Sequence, residues 1–539
     1  MRLPSFLHKE KQDAIAEKSA GLAPVNNSVP TATPAAVTTF DGDGHDSISL
    51  KIHNCTPHEY LAHSVFGALH TGNGVSQRVA SSSLPSSPNP DSAVAAFGVR
   101  NTPVRLPAGR AIVVPAVRIH AFTAAATSGY TVDITLNPRL KVGPAVSGWS
   151  ATLNAPAAAI STNSAECVVE GRLWKPLLLS PTVVSSTKSP NLGVSINKDD
   201  QTAVYALQSA DVVTNTVHIL LLPQRNLSTW MADLPSSDPI SSFCIPGTHE
   251  SCALYGWPIS ACQETTSTIS VQLSRGIRFL DVRLSLKGTP GKQLLYAYHG
   301  VTDQKIEFGA ILSQVYDFLT TNTSETVLMS VLQENNMSGF LDSVFKYINQ
   351  NSTKWYLGTG IPKLADVRGK IVLISRFGSS DSQPGGIHPP IWPDSSSKPF
   401  NYTLPDGAMV WTQDWYNISS LSNIPTKLSL INSLLTTSGS DPAIFGLNFT
   451  NGSSFPFALP PWVAKGTGDQ TKAAANGGGW LQNVGVNALL VDLIATRLKG
   501  GQAQWGKRGG LMNVIALDFF DQNNLGADLA GLMVQANFQ

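Results

Sequence analysis

The texture of the chain changes once, near Pro223–Pro239, and that change constrains the fold more than any other feature. From Ser47 to about Leu222, short β-forming runs alternate with turn residues, among them Ser47–Ile52, Arg110–Val117, Tyr130–Leu136 and Val212–Leu222. No long run of period 3.6 interrupts them, and Val75–Asp91 is rich in Ser and Pro. This pattern predicts an all-β, sandwich-like domain over residues 46–225. Pro235-Ser-Ser-Asp-Pro239 is a turn-rich break. Beyond it, strand-like runs alternate with helical ones. The strand candidates are Ile240–Ile245, Arg278–Leu284, Leu294–His299, Thr326–Leu332, Lys370–Arg376, Ala408–Thr412, Ala443–Phe449 and Val514–Phe519. Phe308, Ile311, Leu312, Val315, Phe318 and Leu319 fall at helical spacing, and Asn483–Lys499 is a second helix candidate. The alternation predicts an α/β fold, a distorted TIM-type (β/α) barrel over 226–539, irregular because intervals such as Ser285–Gln293 are too short for a helix. Residues 1–45 are polar and without periodicity, which predicts a disordered tail.

Composition narrows the function classes. The 539 residues are 42% hydrophobic and only 14% charged, with Lys+Arg 37 against Asp+Glu 36 and a net charge of +1. That balance leaves no electrostatic footprint for nucleic acid. Apolar stretches such as Ile112–Val117 fall far short of the roughly 18 residues a membrane span needs. Lys9, Glu10, Lys11, Asp13, Glu17 and Lys18 interrupt any secretory h-region. A soluble or membrane-peripheral monomer is expected, with its compartment open. Of the cysteines Cys55, Cys167, Cys244, Cys252 and Cys262, the pair Cys252/Cys262 could close a short disulfide loop or stay reduced.

Almost every strand of the second region ends in an ionisable residue. The first runs into Pro246-Gly-Thr-His249-Glu250, the second carries Asp281-Val-Arg283, and the third ends in Tyr298-His299-Gly300. Glu334, Arg376, Asp414 and Asp518 close the later ones, with Tyr416 just beyond Asp414. A lone His or a lone Asp-x-Arg is ordinarily structural. In a chain this poor in charge, burying several such groups at one rim is costly unless they form a site. In a barrel, that rim is where chemistry is placed.

The set suits phosphodiester cleavage. One neutral His takes a proton from an attacking hydroxyl, and a second, protonated His gives one to the leaving oxygen. Arg283 binds a non-bridging phosphate oxygen, and carboxylates orient the histidines. Other motifs fail. His249-Glu250 lacks the second His of a zinc-protease helix, since position 253 is Ala253. Gly501–Lys507 lacks the Ser or Thr of a P-loop, since Arg508 follows.

Pro246-Gly-Thr-His249, Asp281-x-Arg283 and Tyr298-His299-Gly300, in this order and strand context, resemble the X-domain of phosphatidylinositol-specific phospholipase C, bacterial type, over about Ser241 to Phe520. The resemblance implies a distorted TIM barrel. It implies His249 as general base on the inositol 2-hydroxyl, His299 as general acid, Arg283 on phosphate, Asp281 in support and Asp518 orienting the base. Arg376 and Asp414 would hold inositol hydroxyls, with Glu334 among the substrate-binding groups, and Tyr416 would stack on the ring. Because Arg283 stands where the eukaryotic branch has a calcium ligand, the resemblance implies no metal and no cofactor. The expected partner is a phosphoinositide lipid or its glycosylated form.

Two departures stand out. Glu250 replaces the Asp usual after the first His, and a family lysine on the fourth strand falls at Leu332 or Gln333. The loop Tyr255-Gly-Trp-Pro-Ile-Ser260 puts Trp257, Pro258 and Ile259 next to the first His, either as a transient membrane contact or as a cap on the core. The competing reading of the whole is an inactive barrel that binds an inositol headgroup or glycan. A metal-dependent glycerophosphodiesterase fits less well, because Arg283 opposes a metal.

Overall fold

The computed structural model describes residues 45–72, 75–78, 100–106, 108–120, 127–138, 146–156, 173–177, 179–183, 204–211 and 216–539, the last without 290, 336, 381, 382, 384, 468–482 and 524. The expected tail lies outside these apart from His45, which begins a strand. Asp46–Gln539 is one compact unit. Before Pro223 the described elements are all strands, in a 5-stranded and a 6-stranded sheet. In the first of these, His45–Asn54 runs parallel to Thr216–Pro223. This region meets the second through Trp174, whose indole N–H donates to Thr496 at 3.3 Å, and through Arg225, which donates to Gln535 at 3.1 Å.

The second region is a curled α/β sheet. Its parallel strands are, in chain order, Ile245–Thr248, Phe279–Lys287, Val327–Gln333, Ile371–Arg376, Met409–Gln413, Ile444–Phe449 and Val514–Leu517, called here the first to the seventh. The first pairs with both the second and the seventh, so the chain order closes on itself. No ladder joins the fourth to the fifth among the described residues. Instead, Ile387 lies beside the fourth strand, and the Phe400–Thr403 strand pairs antiparallel with the fifth.

One expected barrel strand is placed differently. Leu294–His299 runs antiparallel to the second strand and forms a hairpin with Thr302–Glu307. A parallel crossover needs about a dozen residues or more, and Gly288–Gln293 cannot supply them. The expected helices are present: Phe308–Thr321 buries Phe308, Ile311, Leu312, Val315 and Leu319, and Val486–Trp505 takes in the second helix candidate from Val486 to Lys499.

Alternation along the strands positions the site. On the second strand Leu280, Val282 and Leu284 pack outward with Leu312, Val315 and Leu319 of the helix layer. Phe279 packs inward with Leu328, Val372 and Phe449. Side chains two apart share a face, so Asp281 and Arg283 continue the inward row above Phe279. Arg376 follows Val372 and Ile374 in the same way, and Asp518 follows Val514 and Ala516. An apolar floor therefore passes into polar groups at the C-terminal mouth. Below the floor, Arg278 and Glu325 pair at 2.7 Å with both side chains fully buried.

Candidate active site

His249 follows the first strand, and its orientation is set at both ring nitrogens. Nδ1 lies 2.8 Å from Asp518 Oδ1. Nε2 lies 2.8 Å from Arg283 Nη2 and 3.2 Å from Asn451 Nδ2. A guanidinium only donates, so Nε2 accepts and the ring proton sits on Nδ1, directed at Asp518. Burial and the nearby Arg283 hold His249 well below the ordinary histidine range. The Asp518 carboxyl is pushed up by burial, against the pull of Arg283 and Lys427. Glu250 and Phe519, the residues after His249 and Asp518, both have a φ of 45°. Left-handed backbone at non-glycine residues costs about 1–3 kcal/mol and is held by surrounding structure.

Arg283 is the hub. Its Nε donates to Asp281 Oδ2 at 3.1 Å, Glu250 Oε1 is also 3.1 Å from Nε, and Glu334 is 3.7 Å from Nη1. The Nε–H points at Asp281, so Glu250 Oε1 forms an ion pair there without a hydrogen bond. These carboxylates outweigh burial and raise the Arg283 pKa well above its usual value. Burial favours a neutral Asp281, but Arg283 and Arg376 win and lower its pKa. Glu250, pushed up by burial, also lies 3.8 Å from His299 Nε2. The longer side chain thus reaches both Arg283 and His299.

His299 ends its hairpin strand with Nδ1 on the Ser260 carbonyl at 2.8 Å, so that nitrogen donates and Nε2 faces Glu250. Burial lowers its pKa, partly offset by the Ser260 carbonyl. On the other flank, Arg376 bridges Asp281 at 3.3 Å and stacks on Trp392, its guanidinium carbon 3.7 Å from the ring centre. Trp392 donates to Asp414 Oδ2 at 2.9 Å. This links the ends of the fourth and fifth strands across the sheet opening. Tyr416 sits at the edge, its hydroxyl on Asp394.

The structure therefore brings His249, Glu250, Asp281, Arg283, His299, Glu334, Arg376 and Asp518 into one connected set, with Asp414 beside Arg376 through Trp392. Trp257 and Ile259 stand outside it, 60% and 48% exposed. Phe455 and Phe457, also exposed, lie in the loop after the sixth strand, and Val301 lies in the hairpin turn after His299. Sequence reasoning missed Asn451, just past the sixth strand, and Lys427, whose Nζ sits on Gln413 Oε1 and the Trp415 carbonyl. Burial lowers the Lys427 pKa to about 7. Asn451 carried a signal, since it stands just past a strand end, as His249 and Asp414 do. Lys427 carried none, because it lies within the helix Ile424–Ser438. Cys252 and Cys262 are separate thiols.

Residues 236–377 match phosphatidylinositol-specific phospholipase C, X domain. The chain resembles that family. A 1-phosphatidylinositol phosphodiesterase of Listeria monocytogenes is 30% identical over 158 residues, 27% of this chain and 48% of that protein. The match thus spans about half of that relative's length. A protein of the same name from Staphylococcus aureus is 24% identical over 284 residues, 48% of this chain and 88% of its own. Human PI-PLC X domain-containing protein 3 is 30% identical over 136 residues, 20% of this chain and 42% of that protein. Among solved structures, a Staphylococcus aureus phosphatidylinositol-specific phospholipase C aligns over 58% of this chain and 98% of its own, with 20% identity and a TM-score of 0.43. No helix among the described residues is long and apolar enough to cross a membrane.

Proposed function

We propose that this protein cleaves the phosphodiester bond of phosphatidylinositol or a glycosylated phosphatidylinositol, releasing a cyclic inositol phosphate that is then hydrolysed. One observation carries the reading: Arg283 is clamped between His249 and the carboxylates of Asp281 and Glu250, with His299 on the other side of Glu250. His249 Nε2 holds the lone pair that takes the 2-hydroxyl proton. The resulting alkoxide attacks phosphorus. Arg283 turns its Nη2–H from His249 to a phosphate oxygen and neutralises charge there. His299 Nε2 gives its proton to the departing glycerol oxygen, and Glu250 stabilises the protonated ring beforehand. Water then opens the cyclic ester with the two histidines in exchanged roles.

Arg376, Asp414 and Glu334 are proposed to hold the inositol hydroxyls, and Tyr416 to stack on the ring. Trp257 and Ile259 are proposed to touch the membrane surface transiently, since net charge +1 offers no strong electrostatic attraction. The enzyme acts as a membrane-peripheral monomer. Residues 226–539 form its catalytic barrel, with 46–225 as a sandwich-like companion. The decisive experiment is release of water-soluble inositol phosphate from phosphatidylinositol vesicles in excess EDTA. Release that survives chelation supports this reading. Headgroup binding without release makes the chain a binding module. Activity lost in EDTA and restored by Ca²⁺ replaces the metal-free mechanism.

A further inference from the structure

We infer that His249, Cys262 and Asp518 form a site for a thiophilic divalent cation such as Zn²⁺, and that its binding there switches the base off. Only the inhibitory consequence rests on the proposed function. The binding stands on the donor geometry.

One ligand atom from each of the three residues lies within 4.8 Å of the others, and all three residues are buried, at 5%, 1% and 2% exposure. The Cys262 backbone is fixed in place, and its Sγ lies 3.7 Å from His299 Nδ1. The Cys262 amide donates to the Ala253 carbonyl at 2.9 Å, and its carbonyl accepts from Phe519, next to Asp518, at 2.7 Å. Bond lengths of about 2.3 Å to sulfur and about 2.0–2.2 Å to nitrogen and oxygen put the edges of a tetrahedron at roughly 3.3–3.6 Å. Side-chain shifts on the order of 1 Å therefore close the three donors around one ion. A nitrogen, sulfur and oxygen set suits a borderline-soft ion. Ca²⁺ and Mg²⁺ require more ligands, all oxygen.

Charge favours the same ion. A thiolate and a carboxylate cancel two positive charges, so the bound cluster is neutral. On binding, the Cys262 S–H proton leaves to solvent and an S–metal bond forms, as coordination deprotonates a thiol. The His249 proton moves from Nδ1 to Nε2, and Nδ1 becomes the ligand. Asn451 answers that change. Its Oδ1 is buried without a hydrogen-bond partner, while its Nδ2 is 3.2 Å from His249 Nε2. Rotation of the amide brings Oδ1 to the newly protonated Nε2, and Arg283 Nη2, which would then face an N–H instead of a lone pair, turns away from the ring. Arg283 would repel a cation, but it stands at the other ring nitrogen and is paired with Glu250, Asp281 and Glu334. With Nε2 protonated, the lone pair that accepts the 2-hydroxyl proton is gone.

The test uses the full chain, stripped with EDTA and dialysed. Co²⁺ titration should produce a sulfur-to-cobalt charge-transfer band that Cys262→Ser removes and Cys252→Ser keeps. Zn²⁺ should inhibit the wild type where Ca²⁺ and Mg²⁺ do not. Cys262→Ser, measured against its own metal-free activity, should need more Zn²⁺ by more than the roughly 10–100-fold that loss of an outer-shell partner costs. If Cys262→Ser fails to fold, a Zn²⁺-dependent rise in wild-type Tm retained in Cys252→Ser is the required result. No cobalt band, a band dependent on Cys252, or inhibition unchanged in Cys262→Ser overturns the site. A Cys262-dependent band in a protein without phosphodiesterase activity overturns the proposed function and leaves the site standing.

Discussion

Arg283 Nη2 lies 2.8 Å from His249 Nε2, and this contact makes His249 a neutral ring whose Nε2 lone pair faces Arg283. In the proposed mechanism, base and phosphate clamp are thus registered to each other by a single hydrogen bond. Lysine carries one point charge and cannot serve Asp281, Glu250 and His249 together in a planar fork. Arg283→Lys should keep the fold and lower kcat by about 10²–10³, as for loss of one oriented donor to a charged transition state. A loss below tenfold in kcat, or one confined to KM, would remove Arg283 from the chemistry.

His299→Ala should lower turnover by about 10²–10⁴ with an unchanged melting curve. The pH profile gives an independent check. The proposed mechanism requires a neutral His249 and a protonated His299. Both pKa values lie below the ordinary 6.5, by burial first. The acid limb, set by His249, moves to low pH. The alkaline limb, where His299 loses its proton, also falls below about 6.5. The kcat/KM optimum should therefore lie on the acid side of neutrality. An optimum above pH 7.5 would contradict the assignment of His299 as acid.

The polar strand ends were legible in the sequence because strand periodicity fixes which residues share a face: Asp281 and Arg283 had to point the same way. The role of Glu250 was not, since its reach to both Arg283 and His299 depends on a left-handed backbone that no residue type announces. The antiparallel course of Leu294–His299 was legible only as an interval too short for a crossover. Trp392 and Lys427 act across the sheet opening and from a helix, so their relation to Asp414 and Gln413 exists only after folding.

Arg278 and Glu325 supply a prediction about stability. Arg278 Nε and Nη2 both donate to Glu325, Nη1 and Nη2 also meet backbone carbonyls, and the Arg278 and Glu325 side chains are both fully buried. Removing one partner leaves a buried charge uncompensated. Glu325→Ala should cost about 3–5 kcal/mol in denaturant unfolding with little change in m. The folded fraction should retain its activity to within about tenfold, because the pair lies below the apolar floor. A cost under about 1 kcal/mol, in the range of surface pairs, would show that water reaches Arg278.

Trp257 separates membrane contact from core support. Its ring meets Phe519 edge-on at 6.1 Å and has Lys465 Nζ 4.8 Å away, so part of it is anchored beside the Asp518 segment. Yet it is 60% exposed, and Ile259, Phe455 and Phe457 are also exposed at the same strand ends. Trp prefers the membrane–water interface, where its ring is half-apolar and its N–H stays wet. Trp257→Ala should lower activity on phosphatidylinositol vesicles several-fold and leave hydrolysis of a soluble cyclic inositol phosphate within about twofold, since a solvent-facing ring contributes little to the core. Vesicle sedimentation should fall in parallel. An equal loss on both substrates together with a lower Tm would show that the Phe519 contact matters more than the exposed face, and that Trp257 serves the barrel rather than the membrane.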